Sequence, residues 1–248
     1  MVTPALNGSS PVIETIPFME WPDFVAGLQW NQGEHFALIG PTGCGKTTAA
    51  LNLLPLREYT TVFATKPKDN SLVKFGKDHD YKVIEQWKPS LSVRRYPRRI
   101  LWPNARSLAS ATTQRQDFYT ALDDIYVKGG WCIYFDELWY ISNQLNLRKE
   151  IITFLLQARS MNIGMLMAFQ RPAWVPVEVY DQATHLMFWR ENDEVNLSRI
   201  QGIAYNSNEM IRQVVSCLPL HQALYINTRN GSMVRTIAPA PDKGKGKG

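Results

Sequence analysis

This chain contains few cysteines and no long apolar run. The three cysteines, Cys44, Cys132 and Cys217, lie far apart in the 248 residues. This spacing excludes a disulfide framework and a zinc-finger type of site, so we expect reduced, structural thiols. No apolar run approaches the ~18 residues of a membrane-spanning helix. Residues 1–17 lack both a basic start and an apolar core. We therefore expect no secretory signal, no stable membrane insertion and a cytoplasmic location.

Acidic residues are outnumbered by basic ones. The formal net charge of +5 and the isoelectric point near 9.1 are compatible with a polyanionic partner without establishing one. Positive charge is concentrated in two short segments. The first contains Arg94, Arg95, Arg98 and Arg99, and the second contains Lys243, Lys245 and Lys247. The arginine cluster has two open interpretations, contact with a polyanion or a solvated loop or subunit contact.

A glycine-rich stretch at residues 40–48 is the most informative motif. It consists of Gly40, Pro41, Thr42, Gly43, Cys44, Gly45, Lys46, Thr47 and Thr48. The pattern matches the phosphate-binding loop G-x-x-x-x-G-K-[ST] and lies between an apolar run and a helical segment, as that loop must. Its glycines let backbone N–H groups point at a phosphate, and the helix adds its positive N-terminal end. Lys46 is expected to reach the β- and γ-phosphates and Thr47 to ligate Mg²⁺, so the sequence predicts binding of ATP or a similar triphosphate.

Strands alternate with helices along the rest of the chain. Strands are predicted at residues 35–39, 60–65, 81–85, 99–102, 131–135, 163–169, 184–189, 223–227 and 233–237, and helices at residues 21–28, 47–54, 110–127, 148–160 and 208–217. This alternation predicts an α/β fold, a mostly parallel sheet with helices on both faces. We expect a single RecA-like P-loop domain over residues 31–238. An N-terminal arm and short helix at residues 1–30 precede it, and a disordered basic tail at residues 239–248 follows it.

Two adjacent acids, Asp136 and Glu137, end the strand predicted at residues 131–135. The carboxyl edge of such a sheet is where ligands bind. Asp136 can contribute to the Mg²⁺ shell, and Glu137 can polarise an attacking water. The alternative is that both acids only cap the next helix. A kinase needs only the metal ligand, so Glu137 favours hydrolysis of ATP by water over transfer of a phosphoryl group.

A third motif runs through residues 157–172. It combines an Ala-Arg helix end, a glycine before a buried strand, and the turn Gln170-Arg171-Pro172. With these features the chain resembles the FtsK–HerA superfamily of DNA-translocating ATPases. Residues 33–48, residues 65–69, the Asp-Glu pair and residues 183–189 also fall in that family's order, so the resemblance covers about residues 30–230.

The resemblance implies roles for two further residues. Gln170 is similar to the polar sensor beside the γ-phosphate, the alternative being a solvated turn residue. Arg159 is similar to an arginine finger that a neighbouring subunit inserts, a group worth ~10³ to 10⁵ in turnover. A surface salt bridge remains the alternative for Arg159, and Arg148, Arg171 and Arg115 compete with it for the role. Two lysines, Lys66 and Lys68, follow the second strand. They either couple the site to DNA or form a charged turn.

The chain leaves no room for an added N-terminal barrel, a membrane anchor or a winged-helix module, so we expect a nearly bare motor domain. This build resembles the genome-packaging ATPases of DNA viruses, or a motor of a mobile element. We therefore expect an ATP-driven double-stranded DNA translocase, a hexameric ring with ATP and Mg²⁺ as cofactors. A portal, capsid or transfer-complex protein is a candidate partner, and a viral protein would act in the host cytoplasm or with the virion. Packaging and plasmid transfer remain alternatives.

Two rival functions remain open. The first is a nucleotide-gated assembly or secretion ATPase that acts on protein, as in filamentous-phage extrusion, and the missing transmembrane segment counts against it. The second is a small-molecule kinase, against which Glu137, Gln170 and the lack of a recognisable lid count. An ABC-type ATPase is less well supported, because no Leu-Ser-Gly-Gly signature lies between the phosphate loop and the acid pair.

Overall fold

The computed structural model describes residues 11–103, 107, 110–201 and 208–240. Its strands are β1 (His35–Ile39), β2 (Thr60–Phe63), β3 (Lys82–Ile84), β4 (Arg98–Leu101), β5 (Cys132–Phe135), β6 (Gly164–Phe169), β7 (Ala183–Trp189), β8 (Ala223–Asn227) and β9 (Met233–Thr236). Its α-helices are α1 (Pro11–Glu14), α2 (Trp21–Gly27), α3 (Lys46–Leu53), α4 (Asn70–Asp78), α5 (Ser110–Lys128), α6 (Arg148–Gln157), α7 (Val177–Gln182), α8 (Glu194–Gln201) and α9 (Asn208–Cys217).

The strands form one sheet in the order β3-β4-β2-β5-β6-β1-β7-β8-β9. Every pairing from β3 through β7 is parallel, and only β8 and β9 pair in antiparallel fashion within this sheet. The predicted mostly parallel sheet is thereby confirmed. Parallel strands share their carboxyl ends, so the loops that follow β1, β2, β5 and β6 emerge together. We call this side of the sheet the carboxyl edge and the opposite side the amino edge.

Helices cover both faces of the sheet, as predicted. Side chains alternate along β1, so Phe36 and Leu38 pack with buried residues of α2, α3 and α4. Their neighbours Ala37 and Ile39 pack on the other face with α5, α6, α7, α8 and α9. The strand is fully buried because both faces are covered, which explains why it reads as a continuous apolar run.

The stretch expected to precede the domain contributes to its core. Ile13 and Ile16 are buried in the same cluster as α9, and Trp21 is buried on the opposite face. The chain also runs beside β9, where the Met19 N–H donates to the Arg235 carbonyl at 2.8 Å. Residues 11–30 therefore pack as part of the domain. Residues 1–10 and 241–248, which include the basic tail with Lys243, Lys245 and Lys247, lie outside the described residues.

Membrane-spanning capacity can be judged from helix length and polarity. In the described part of the chain, no helix combines the length and the apolar character needed to cross a membrane.

Candidate active site

The predicted site residues reach the carboxyl edge on three neighbouring strands. The phosphate loop follows β1, Gln170 follows β6, and Asp136 and Glu137 follow β5. Because β6 lies between β1 and β5, the three loops are adjacent. The order of the strands, rather than the order of the sequence, therefore assembles the site.

Glycines of the phosphate loop occupy conformations that other residues avoid. Gly43 and Gly45 have φ angles of 78° and 118°, a region that glycine adopts without steric cost. A Cβ atom on Gly40 would lie 2.8 Å from the Trp189 Cβ of β7. The first glycine is thus needed for close packing against the sheet, and the later two for the curl that points N–H groups inward.

Lys46 begins α3 and folds back over the loop. Its Nζ donates to the Gly40 carbonyl at 2.5 Å and to the Pro41 carbonyl at 2.8 Å. Burial lowers the pKa of Lys46, and the nearby charges of Cys44 and Glu137 oppose that shift. Nζ also donates to Cys44 Sγ at 3.8 Å. All three partners are uncharged acceptors, so the more negative oxygens of a phosphate can take their place.

Thr47 and Asp136 present two oxygens side by side. The Thr47 hydroxyl donates to Asp136 Oδ1 at 3.1 Å, and the Tyr134 hydroxyl donates to the same oxygen at 2.9 Å. A carboxylate and a hydroxyl are ligands that Mg²⁺ accepts, and Mg²⁺ in such sites takes the rest of its shell from water and substrate phosphates. The described residues contain no cluster of three or more His, Cys, Asp or Glu side chains able to hold a metal. The pair therefore fits Mg²⁺ that arrives with a nucleotide.

Lys66 also contacts the Asp136 carboxylate. Its Nζ lies 2.6 Å from Asp136 Oδ2 and 3.7 Å from Asp69. Burial alone lowers the pKa of Lys66, but the charge and hydrogen bond of Asp136 outweigh it and raise the pKa. Lys66 follows β2, the neighbour of β5, which explains the contact. Both lysines considered from the sequence are exposed, and Lys66 reaches the site through its contact with Asp136.

Gln170 bridges the phosphate loop and the second acid. Its Nε2 donates to Glu137 Oε2 at 2.5 Å, and its Oε1 accepts from the Thr42 hydroxyl at 3.2 Å. Burial raises the pKa of Glu137, while the hydrogen bond from Gln170 and the charge of Lys46 oppose the shift. A raised pKa makes a carboxylate a better proton acceptor, as a general base requires. The arrangement can hold a water near a phosphate and respond to the loss of that phosphate.

Tyr134 was not identified as a site residue from the sequence. Tyr134 precedes Asp136 by two positions, so alternation along the strand places both side chains on one face and could have indicated their contact. The role of Thr42 as a partner of Gln170 was not predicted, although the loop motif included it. Its hydroxyl requires the pairing of β1 with β6 to reach the glutamine.

The candidate arginine finger lies far from the site of its own subunit. Arg159 is exposed in a short 3₁₀ helix (Ala158–Met161) that precedes β6, at the amino edge of the sheet. The phosphate loop lies at the opposite edge, because β6 runs parallel to β1. The competing arginines differ in position. Arg148 begins α6, Arg115 lies in the first turns of α5, and the guanidinium of Arg171 stacks 4.6 Å from the ring centroid of Trp174.

The arginine cluster separates into exposed and buried members. Arg99 is 0% exposed, its guanidinium lying 4.6 Å from the Trp87 ring centroid and 5.0 Å from that of Trp131. Its Nε donates to the Tyr96 carbonyl at 2.9 Å. Arg99 is therefore a core residue, and neither interpretation left open for the cluster, contact with a polyanion or a solvated loop or subunit contact, holds for it. Arg98 is half-buried, with a 3.4 Å hydrogen bond to the His79 carbonyl, whereas the remaining two are exposed. These are Arg94 and Arg95.

Comparison by sequence finds no relatives, since no family model and no curated protein match the chain. Comparison by structure finds several. The DNA-packaging ATPase B204 from Sulfolobus turreted icosahedral virus is 14% identical with a TM-score of 0.59, covering 85% of this chain and 100% of that chain. B204 from Sulfolobus turreted icosahedral virus 2, in complex with AMPPCP, is 15% identical with a TM-score of 0.64 and the same coverage.

A secretion ATPase also shares the fold. The cytoplasmic domain of the type VII secretion ATPase EccC from Thermomonospora curvata is 14% identical with a TM-score of 0.53, covering 86% of this chain and 27% of that chain. At such identities the likeness concerns the fold. The chain therefore has the α/β fold of P-loop ATPases such as the viral packaging enzymes, and the fold class predicted from its sequence is confirmed.

Proposed function

We propose that this protein is an ATP-driven motor that translocates double-stranded DNA, either to package a viral genome or to transfer DNA for a mobile element. The observation that carries the proposal is the linked set Thr42, Gln170 and Glu137 beside the phosphate loop. A loop that only bound nucleotide would need neither a half-buried carboxylate with a raised pKa nor an amide that connects it to the loop. The fold shared with viral DNA-packaging ATPases supports DNA as the substrate of the motor.

The proposed chemistry assigns a task to each side chain. Loop N–H groups and Lys46 bind the phosphates, and Thr47 with Asp136 would hold Mg²⁺. Bound Mg²⁺ neutralises charge that develops on the phosphate oxygens. Glu137 accepts the proton of the attacking water. Gln170 then reports the departure of the γ-phosphate, because a changed bond to Thr42 or to Glu137 alters the end of β6.

The proposed assembly is a ring, hexameric in our proposal, with each site at a boundary between subunits. Arg159 supports this arrangement, since it projects from the edge of the sheet opposite the phosphate loop. Head-to-tail contacts, in which one surface of a subunit meets a different surface of the next, generate closed rings. A finger from one subunit would then complete the site of the next.

A secretion or assembly ATPase that acts on protein is the second candidate. The shared fold with the cytoplasmic domain of EccC favours it. A small-molecule kinase is less well supported, because the Glu137–Gln170 pair serves the activation of water. The substrate of the motor, DNA or protein, therefore separates the two remaining candidates.

The test is the ATPase rate with and without linear duplex DNA at two ionic strengths. A motor that moves past every sequence should grip phosphates rather than base edges. We expect stimulation that hardly depends on sequence and falls steeply with salt, as counterions are released. Glu137→Gln serves as the background control. An oligomeric, nucleotide-binding preparation that DNA does not stimulate at either ionic strength would favour the protein-acting candidate.

A further inference from the structure

One ammonium group at the carboxyl edge lies between two carboxylates. The Lys66 Nζ is 2.6 Å from Asp136 Oδ2 and 3.7 Å from Asp69 Oδ2. Asp136 directly follows β5, whereas Asp69 comes after β2 and immediately before α4. The first distance is that of a short, charge-assisted hydrogen bond, and the second is too long for a hydrogen bond but lies within the range of an ion pair. Lys66 therefore has a preferred partner and an alternative partner on separate elements.

Asp136 is fixed in place, whereas the Lys66 side chain is free to move. Oδ1 of Asp136 accepts from the Thr47 hydroxyl at 3.1 Å and from the Tyr134 hydroxyl at 2.9 Å, and Oδ2 accepts from Lys66. The Asp136 side chain is only 8% exposed, so its charge requires a partner. The Lys66 side chain is 52% exposed, and ion pairs near solvent contribute little to stability. The ammonium can therefore leave Asp136 at little cost, provided that another cation replaces it.

The alternative partner is held in place independently of Lys66. Oδ1 of Asp69 accepts from the Leu72 N–H at 3.0 Å and caps α4, which leaves Oδ2 to face the lysine. The main chain of Lys66 is also fixed, because its carbonyl accepts from the Trp102 Nε1 at 2.7 Å. A rotation of the Lys66 side chain is therefore enough to move the ammonium from one carboxylate to the other.

Mg²⁺ and the Lys66 ammonium would compete for the same carboxylate. Two cations on one carboxylate repel each other, and the repulsion is stronger when one of them is divalent. The ammonium is the weaker competitor, since it carries one charge and can pair with Asp69 instead. We propose that Lys66 is an exchangeable counter-ion of Asp136, which neutralises that carboxylate until Mg²⁺ binds and then pairs with Asp69. The inference rests on the proposed role of Asp136 in holding Mg²⁺.

The exchange determines how strongly nucleotide binding depends on Mg²⁺. While Lys66 neutralises Asp136, the carboxylate repels the phosphates of a nucleotide less, so nucleotide binds better without Mg²⁺. Binding of Mg²⁺ has to displace the ammonium, so the affinity gained from Mg²⁺ is smaller. We express this dependence as the Mg²⁺ coupling factor, defined as the Kd of AMPPCP in EDTA divided by its Kd in Mg²⁺.

The first experiment measures the Mg²⁺ coupling factor of the full chain by calorimetry. Lys66→Met keeps the apolar stem and removes the charge, so we expect the factor to rise about fivefold, chiefly because binding in EDTA weakens. Lys66→Arg, which keeps a cation, should stay near the wild-type value. Lys68→Met is the matched control at an exposed neighbouring position and should also leave the factor unchanged. Equal weakening of Lys66→Met in EDTA and in Mg²⁺ would show direct contact with the phosphates and overturn the proposal, as would an unchanged factor.

Asp69 supplies an independent variant that preserves the helix cap. Asp69→Asn keeps an oxygen for the Leu72 N–H but removes the charge that receives Lys66. The ammonium then stays on Asp136, so we expect the coupling factor to fall about threefold. The double variant Lys66→Met, Asp69→Asn should match Lys66→Met alone, because Asp69 acts only through the lysine. A further threefold fall in the double variant would show that Asp69 acts without Lys66 and would overturn the exchange.

Two further measurements separate this inference from the assignments on which it rests. If Asp136→Asn keeps the wild-type coupling factor, the proposed Mg²⁺ ligand is wrong and the inference fails with it. If Asp136→Asn loses the coupling but Lys66→Met leaves it unchanged, only the exchange is wrong. The difference between wild type and Lys66→Met should also shrink at high salt, since the lysine side chain is solvent exposed. A difference that persisted at high salt would indicate altered packing of the site and would contradict the exchange of counter-ions.

Discussion

Gln170 joins Thr42 of the phosphate loop to Glu137. A carboxylate only accepts, so the Gln170 amide nitrogen must face Glu137, and the amide oxygen is left to accept from Thr42. The orientation of the amide is thus determined by its partners. A group with one fixed orientation can act as a sensor, because losing either partner forces it to move.

Substitution of Lys46 and substitution of Glu137 should impair ATP turnover at different steps. Lys46→Ala removes the cation that faces the phosphates, so we expect nucleotide binding and turnover to be lost. Glu137→Gln removes only the base, so ATP should stay bound while hydrolysis falls by about 10² to 10⁴. Equilibrium binding and single-turnover hydrolysis distinguish the two. Wild-type turnover in purified Glu137→Gln would refute the assignment of Glu137.

The pH dependence of hydrolysis should report the environment of Glu137. Burial raises its pKa, and a general base is inactive when protonated, so the rate should fall with decreasing pH at a higher pH than an ordinary carboxylate would give. The Gln170 hydrogen bond stabilises the carboxylate and lowers that pKa. Gln170→Met should therefore shift the acid limb of kcat upward in pH. Thr42→Val leaves the bond between Gln170 and Glu137 in place, so it should not shift the acid limb. An equal shift in both variants would argue against this explanation.

At the scale of elements, the start of β4 marks the change from exposed to buried members of the arginine cluster, with Arg98 half-buried between them. Arg99 lies within the strand and is sandwiched between two tryptophans, whereas Arg94 and Arg95 lie in the exposed turn before it. Burial lowers the pKa of Arg99, and the charge of Asp124 opposes that shift. The guanidinium therefore serves the core, where the faces of the rings and backbone carbonyls are its neighbours.

In the arginine cluster, substitution of exposed members should change DNA affinity, and substitution of the buried member should change stability. Arg94→Ala with Arg95→Ala should lower DNA affinity and reduce the slope of log K against log salt by about one per lost phosphate contact, with stability unchanged. Arg99→Met should lower the free energy of unfolding by about 2–4 kcal/mol, since it disrupts a buried network. Urea unfolding and DNA titrations at several salt concentrations measure both effects. An unchanged salt slope in the double variant would contradict DNA contact and favour a solvated loop or a subunit contact.

Most strands could be predicted because the sheet is buried on both faces. β1 and β8 were predicted with their observed bounds, and α9 likewise. By contrast, α4, which follows the segment that contains Lys66 and Lys68, was not predicted. Its Asp69 cap accepts from the Leu72 N–H, but Gly76 interrupts the helical pattern. A Cβ there would lie 2.9 Å from Ile100 Cδ1, so the glycine serves packing against β4, which local sequence does not show.

The candidate site was predictable to the extent that motifs follow strands. The loop after β1, the acids after β5 and Gln170 after β6 had to share one edge once the sheet was parallel. The contact of Lys66 with Asp136 and the burial of Arg99 depend on the order β4-β2-β5. Strand order is set by long-range packing, and a single sequence does not determine it.

At the scale of the whole molecule, β6 connects the two edges that a ring would bring together. Arg159 precedes the strand at the amino edge, and Gln170 follows it at the carboxyl edge. All six residues of β6 are buried between β1 and β5, so the strand has little freedom to bend. In the proposed ring, a displacement of Gln170 at one site would be transmitted by β6 to Arg159, the arginine that serves the next site.

This geometry makes a prediction about mixed rings. Arg159→Ala and Lys46→Ala should each be inactive alone, because the first lacks the finger and the second lacks the phosphate contact. Mixed in equal amounts, they should form about a quarter of boundaries with an intact loop facing an intact arginine, and regain activity in about that proportion. Arg148→Ala mixed with Lys46→Ala is the matched control, and we expect Arg148→Ala to be active without a partner. If mixed rings assemble but stay inactive, the role of arginine finger would be reassigned to Arg148, Arg171 or Arg115. Of these, Arg171 is nearest in sequence to Gln170.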